Sequence, residues 1–276
     1  MNIVLATPPV AGSAWGVGSY PPLGLLYLAA CVKHLPEVKV RIVDAYAEGL
    51  DVANACERVM SYSPDMFGLS ATSMTFRGGW ELLKRVKEAR RDILTILGGF
   101  HATLFDRVLL REIEEVDVVA RGEAERSFPQ LCESLIRGHG ISGISGISYR
   151  FRGEVVSAEL QMIEDLDSLP FPDRSILDYD GYGTQWGGFT LPMVPHLATM
   201  VSSRGCIYNC TFCADKVLKT SKWRPRSADG VFLELQELSR NGSKTIFFVD
   251  ENFAGDVGRV DDICHKIIGQ HLKIRL

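Results

Sequence analysis

Short apolar runs alternate with longer amphipathic ones along the first half of the chain. "NIVLAT" (residues 2–7) predicts a buried strand. "PLGLLYLAACVKHL" predicts a helix, with Pro22 near its start, where a missing N–H costs nothing. The pattern then repeats: strand "VKVRIVDAY" and helix "DVANACERVMSY"; strand "DMFGLSAT" and helix "WELLKRVKEARRD". Strand "ILTILGGF" and helix "LFDRVLLREIEE" follow, then strand "VDVVARGE" and helix "ERSFPQLCESLIRG". These strands are continuously apolar, as burial on both faces requires. Successive strand–helix units of this kind predict an α/β fold with a doubly wound, Rossmann-like parallel sheet. The expected first domain covers residues 1–140.

Between residues 141 and 196 the pattern changes. "ISGISGISYRFRGEVVSAE" predicts a small hairpin or edge strands, with the tip at "FRGE". "IEDLDSLPFPDRSILDYDGYGTQWGG" is rich in Pro, Asp and Gly and predicts an extended linker with little regular structure. A second βα pattern covers residues 197–276. "LATMVSS" is a strand that runs into a cysteine-bearing loop. "SADGVFLELQELSRNG" is a helix, with Ser227 placed as N-cap and Gly242 past its end. "KTIFFVDENF" is a strand, "GRVDDICHKIIGQ" a helix, and "LKIRL" a further strand. A complete βα barrel uses roughly 30 residues per unit. The second domain is therefore expected to be the first part of a partial barrel, completed by something outside this sequence.

Composition narrows the partners. Of 276 residues, 46% are hydrophobic and 23% charged, with a formal net charge of −4. No lysine or arginine run offers a footprint for a nucleic-acid backbone. The longest apolar run, "PPLGLLYLAACV", is about 12 residues, too short to span a bilayer. No basic region precedes an N-terminal apolar stretch, so a signal peptide is not expected and the protein should be cytoplasmic. Reducing surroundings argue against disulfides, and seven cysteines is an odd number. Cys31, Cys56, Cys132 and Cys264 stand singly in apolar or helical stretches and are expected to pack as small hydrophobes.

Cys206, Cys210 and Cys213 are different. They lie within "SSRGCIYNCTFCAD", just after a strand, where βα barrels carry their active sites. Thiolates select iron–sulfur clusters, zinc or copper(I). Zinc usually takes four ligands from paired motifs, and Cys264 and His265 form no such spacing with the trio. Three ligands on one loop suit a [4Fe–4S] cube with one iron left open; a structural zinc or inert thiols are the alternatives.

With Phe212 before the third cysteine, "CIYNCTFC" resembles the loop of the radical S-adenosylmethionine enzymes, C-x3-C-x-aromatic-C. The resemblance implies that Cys206, Cys210 and Cys213 hold the cluster and that its open iron chelates S-adenosylmethionine. An electron, from a donor such as flavodoxin or ferredoxin, then cleaves the sulfonium to a 5′-deoxyadenosyl radical. The backbone near Phe212 is implied to border the adenine. "FFVDENF" resembles the family's acidic motif near the methionine amino group, with Glu251 the first choice and Asp250 the second. A helix N-terminal acid without a catalytic role is the other reading of Glu251. Arg224 and Arg226 in "KWRPRS" are expected on a solvated loop, with a contact to carboxylate or phosphate the alternative.

The first domain's strand ends are also informative, since doubly wound sheets bind ligands there. They carry "TPPVAGSAWGVGSYPPLG", "SATSMTFRGG", "GGFHAT" and "RGEAERSF". Small residues let a bulky ligand approach the backbone. No G-x-G-x-x-G follows the first strand, so a nicotinamide dinucleotide is not expected. "YPPLG", "GG-x-H-x-T", "GE-x-E" and the linker "DLDSLPFPDR" together resemble the cobalamin-binding domain that precedes the radical domain in one large group of that superfamily. This resemblance runs nearly end to end. It implies that Thr72, Ser73 and Met74 line the corrin or its nucleotide tail, that Gly98 and Gly99 let the tail pass, and that Glu123 and Glu125 bond its nucleotide end. Turn formation is the plainer reading of Thr72 and Ser73, and an acidic first-turn residue that of Glu125. The first loop lacks D-x-H-x-x-G, whose histidine ligates cobalt in other cobalamin proteins. His101 is placed as a contact to the tail or to its own loop, with cobalt ligation the lesser reading. The loop's "GEAE" has Ala124 where the group often has glycine.

The implied reaction is methyl transfer to an unactivated carbon of a small-molecule substrate, with methylcobalamin as methyl carrier. Anaerobic radical cyclisation or carbon-skeleton rearrangement is the first alternative, and a non-catalytic cobalamin and iron–sulfur module the second. Methylthiolation of tRNA is disfavoured because no second cysteine trio exists.

Overall fold

A computed structural model describes residues 1–10, 20–177, 182, 185–186, 189–190, 197–213 and 222–276. Much of "TPPVAGSAWGVGSYPPLG" and of "GTQWGGFTLPMVP" therefore lies outside the described residues. The chain divides into two units, Met1–Val17 with Gly24–Met162 and Pro172–Leu177, and Gly18–Leu23 with Ile163–Phe171 and Asp178–Leu276.

The first unit is a seven-stranded sheet in the order β2-β1-β3-β4-β5-β6-β7. Strands β1 (Asn2–Thr7), β2 (Lys39–Asp44), β3 (Met66–Ser70), β4 (Leu94–Gly98) and β5 (Val118–Ala120) are parallel. Between them run helices α1 (Leu23–Cys31), α2 (Val52–Ser61), α3 (Phe76–Ala89) and α4 (Gly99–Glu112), with α5 (Ser127–Ile136) after β5. Alternate strand residues feed two cores. Val4, Ala6, Phe67, Leu69 and Leu97 pack with Leu82, Leu83, Val86 and Leu110 on one face. Ile3, Leu5, Met66 and Ile96 pack with Leu25, Leu26 and Leu131 on the other. The sheet order reverses between β1 and β3, which places a crevice at their carboxyl ends.

The expected hairpin, β6 (Ile147–Phe151) and β7 (Glu154–Ser157), continues this sheet as two antiparallel strands beside β5. Asp106 of α4 holds it, accepting from Ser148 Oγ at 2.5 Å and Ser157 Oγ at 2.8 Å. Arg150 reaches across to the carbonyls of Leu110, Ile113, Glu114 and Val116.

Two helices start earlier than the pattern predicts. Helix α3 begins at Phe76 rather than Trp80 because Gly78 and Gly79 are contact points, not breakers. A Cβ on Gly78 would meet the Pro9 carbonyl oxygen at 2.2 Å, and one on Gly79 the Leu69 side chain at 2.6 Å. Helix α4 begins at Gly99, with a break in helical geometry at Phe105. The stretch expected as the loop "GGFHAT" is thus its first turn, secured by Thr103 Oγ1 donating to Gly99 O at 2.9 Å.

In the second unit, β10 (Leu197–Met200) and β13 (Thr245–Phe248) pair in parallel, with α6 (Ala228–Arg240) and α7 (Val257–Gly269) packed on them. Ala198, Met200, Val231, Leu235, Leu238, Ile246 and Ile263 form the core. Ser227 caps α6, accepting from Gly230 N at 2.9 Å, as expected. The predicted last strand is a single parallel bridge, Thr245 to Arg275. The linker contains two short 3-10 turns, Leu166–Ser168 and Arg174–Ile176, and a two-residue ribbon of β8 (Gln185–Trp186) and β9 (Phe189–Thr190).

Candidate functional site

Strand β10 ends at Met200, and the cysteine loop leaves almost at once. Its neck is a short antiparallel ribbon, β11 (Ser203–Arg204) against β12 (Arg224–Pro225). Gly205 makes the exit turn with φ of +79°, a conformation that favours glycine. Cys206 and Cys213 are half-buried and Cys210 is exposed, and all three are free thiols. Cys213 N donates to Cys210 O at 3.2 Å, which makes a turn of the last two. Ile207 and Tyr208 are exposed and Phe212 is 90% exposed. Among the described residues, no three His, Cys, Asp or Glu side chains are gathered to metal-binding distance. The structure thus puts the three sulfurs on one accessible loop without drawing them together. The donor set fits an iron–sulfur cluster in chemistry: soft, unpaired thiols near solvent, unlike a buried structural cysteine.

The acidic pair at the end of β13 separates into two roles. Glu251 points toward the loop's exit, accepting from Gly205 N at 3.3 Å. Asp250 accepts from Ser202 N at 2.8 Å and from the Ser202 and Ser203 hydroxyls at 2.6 Å each.

The expected solvated loop at "KWRPRS" is corrected. Arg224 is 3% and Arg226 4% exposed. Arg224 donates to Ile163 O at 2.6 Å. Arg226 pairs with the fully buried Glu234 and donates to Val201 O and Gly230 O at 3.0 Å each. A buried guanidinium needs such partners, and here they tie the linker and the α6 start to the loop's neck. Cys264 is a second correction: it is exposed, on the outer side of α7 beside the buried Ile263. Cys132 is buried as expected, and burial pushes its thiol up to about 12. Arg259, on α7, was not signalled by any motif. Burial pushes its guanidinium below its usual value, against the opposing charges of Asp250 and Asp256.

In the first unit the strand ends β3 and β4 carry the candidate residues. Thr72 makes a turn, its N accepted by Thr75 Oγ1 at 3.0 Å. Ser73 Oγ lies 3.0 Å from His101 Nδ1. The imidazole stacks on Phe76, with ring centroids 4.1 Å apart, and tilts against Phe105 at 4.9 Å. Burial lowers its pKa below the usual histidine value. Near it in sequence or in space, Met74, Phe100 and Phe105 are large apolar side chains left 62%, 50% and 44% exposed. Gly99 has φ of +88°, and a Cβ there would meet the Ala71 carbonyl oxygen at 2.5 Å, so the β3 loop itself demands this glycine. Gly98 has no such neighbour closer than 3.7 Å. Glu125 is buried and Glu123 half-buried in the turn before α5. Thr103, part of "GG-x-H-x-T", bridges the two loops by accepting from Gly122 N at 2.9 Å. Its spacing was readable, but its contact was not.

Residues 16–132 match the B12 binding domain. The whole chain is similar to a protein of Pyrococcus horikoshii described as an uncharacterized methyltransferase, 32% identical over 99% of this chain and 58% of the relative. It is also similar to the anaerobic magnesium-protoporphyrin IX monomethyl ester cyclase of Rubrivivax gelatinosus, 31% identical over 74% of this chain and 36% of that protein. Among solved structures, the cobalamin-dependent S-adenosylmethionine radical enzyme OxsB, with aqua-cobalamin and S-adenosylmethionine bound, shares the fold. The TM-score is 0.78 at 20% identity, over 99% of this chain and 38% of OxsB. The chain therefore spans little more than half, or less, of the relatives it matches. A doubly wound unit that matches the B12 binding domain, followed by a βα unit with a three-cysteine loop, is the order found here, and along 99% of its length the chain is similar to the Pyrococcus relative and to the fold of OxsB.

Proposed function

We propose that this chain is the cofactor-binding part of a cobalamin-dependent radical S-adenosylmethionine methyltransferase acting on a small-molecule substrate. One observation carries the reading: a relative described as a methyltransferase aligns at 32% identity through both units without a break in order. Cys206, Cys210 and Cys213 hold the [4Fe–4S] cluster, and Glu251, Asp250 and the backbone at Phe212 face S-adenosylmethionine. Thr72, Ser73, Met74, Gly98, Gly99, His101, Glu123 and Glu125 hold the cobalamin. When bound, these groups supply an electron, a carbon radical and a transferable methyl. The protein's own contribution is placement. The neck ribbon fixes where Cys206 departs, and the apolar platform of Met74, Phe100 and Phe105 removes water from a large ligand face. An electron donor such as flavodoxin or ferredoxin and a cytoplasmic setting belong to the same proposal; among the described residues, no helix is long and apolar enough to cross a membrane.

Anaerobic purification and reconstitution test it. The expected result is about four irons and four sulfides per chain, binding of one cobalamin, and release of 5′-deoxyadenosine on reduction with S-adenosylmethionine. Zinc in place of iron and sulfide overturns it. The second reading, a radical cyclase, is favoured by the Rubrivivax relative. Products separate the two: methyl transfer converts S-adenosylmethionine to S-adenosylhomocysteine, whereas cyclisation forms none.

A further inference from the structure

The neck of the cysteine loop is bolted to the following βα unit at two points. Asp250, beyond β13, uses both carboxylate oxygens on Ser202 and Ser203. Arg259, in the first turn of α7, donates Nη2 to Ser202 O at 2.6 Å and Nε to Arg226 O at 2.8 Å. Ser202 O also accepts from Arg226 N at 2.9 Å, so one carbonyl joins both stems of the loop and the helix. The guanidinium lies over the rings of Trp223 and Phe253, 5.9 Å from each centroid. Trp223 Nε1 in turn donates to Asn252 O at 3.0 Å. Asp256, the N-cap of α7, fixes the Arg259 backbone N at 3.1 Å. Ser202 and Ser203 are fully buried and Arg259 is 8% exposed. In so dry a belt, losing one charged partner strands the others. Gly255 confirms how tight the packing is, since a Cβ there would meet the Trp223 ring at 2.6 Å.

We propose that Arg259 and Asp250 are positioning residues for the cysteine loop, acting through Ser202 and Ser203 and not by touching a ligand. The proposal rests on the reading of that loop as the cluster site, and it reassigns Asp250 within it. Direct contact with S-adenosylmethionine predicts that only Asp250 changes affinity. Positioning predicts that Arg259→Gln and Ser203→Ala, neither facing a ligand, behave like Asp250→Asn.

The test compares these variants with Arg259→Lys and with Asp261→Asn, an exposed control on the same helix. Hydrogen exchange is measured first, on purified protein before iron is added. The amides of residues 202–213 are expected to exchange about tenfold faster in Arg259→Gln and Ser203→Ala, the loss of one strong hydrogen bond. Arg259→Lys falls between, and Asp261→Asn matches the parent. After anaerobic reconstitution, the first two variants hold less iron. Their cluster resonances broaden, and about tenfold more S-adenosylmethionine is needed to shift them. Unchanged exchange at 202–213 overturns the proposal. So does faster exchange with an unaltered cluster spectrum and S-adenosylmethionine requirement, which marks a purely structural role. If Arg259→Gln does not fold, Ser203→Ala decides by the same readouts. If the parent protein takes up no iron and sulfide, the cluster reading fails, while the exchange comparison still decides whether the belt holds the loop.

Discussion

Gly98 and Gly99 are neighbours in one motif, yet the structure gives them different physical reasons. Gly99 adopts φ of +88°, and a Cβ there would lie 2.5 Å from the Ala71 carbonyl oxygen of the β3 loop. Gly98 is extended, at φ −126°, with only ordinary contacts around it. Gly99→Ala is expected to cost at least about 2 kcal/mol by chemical denaturation, from a forced left-handed backbone plus a clash that backbone cannot yield to. Gly98→Ala should leave stability within about 0.5 kcal/mol and weaken cobalamin binding, measured by titration of the corrinoid absorbance. If both variants only destabilise, Gly98 has no part in the ligand surface. The cysteines divide in the same manner. Cys210 and Cys264 are exposed, whereas Cys132 is buried with its thiol pushed up to about 12. Iodoacetamide at pH 8 should modify the first two within minutes and leave Cys132 untouched until the protein unfolds, as peptide mass mapping will show. Spacing in the sequence marks the trio, but it does not mark exposure. The apolar neighbours of Cys264 suggest packing because helix phase is not fixed by one residue, and the structure turns its face outward.

Hairpin β6–β7 shows what a sequence pattern hides at the scale of an element. Its turn is legible from "FRGE", but its docking to the sheet rests on Asp106 and Arg150, polar residues that the pattern would leave in solvent. Asp106 is raised by burial, but hydrogen bonds from Ser148, Ser157 and the Arg107 backbone, with the Arg121 charge, outweigh this and hold it below its usual 3.8. A lowered carboxylate stabilises the fold fully above the unfolded value and loses that contribution as pH falls through the folded one. The stability gap between the parent and Asp106→Asn should therefore be constant from pH 7 to about 5 and shrink as the solution is acidified below the usual carboxylate range. A gap that grows on acidification would contradict the assignment. Arg150→Met should cost about 2 kcal/mol, since its guanidinium serves four carbonyls near the α4 terminus. The five parallel strands were readable because burial on both faces writes itself as unbroken apolar runs. The early starts of α3 and α4 were not. Gly78–Gly79 and Gly98–Gly99 read as breakers, and only contacts from residues far off in sequence make them helical or nearly so.

The two units differ in how much apolar surface they close. Among the described residues, the first has large cores on both faces of one sheet, while the second has a single core of Ala198, Met200, Val231, Leu235, Leu238, Ile246 and Ile263 over two paired strands. Hydrophobic burial is the main favourable term in folding, so the second unit has less to set against chain entropy. Part of its cohesion comes instead from the charged belt of Arg226, Glu234, Asp250 and Arg259, which resists local opening but contributes little net stability once desolvation is counted. Hydrogen exchange of this chain should therefore show the amides of α6, α7 and β13 opening before those of β1, β3 and β4. Ligands act selectively on such a molecule. A group that binds only the folded form adds RT ln(1 + [L]/Kd), about 2.7 kcal/mol at a hundredfold excess over Kd. Cobalamin should slow exchange at the carboxyl ends of β3 and β4, around Thr72–Met74 and His101. Iron and sulfide should instead slow residues 202–213 and raise the opening free energy of α6 and α7. Protection by both treatments at the same residues would show that the two cofactors do not belong to separate units. Protection by neither would remove the cofactor assignment altogether.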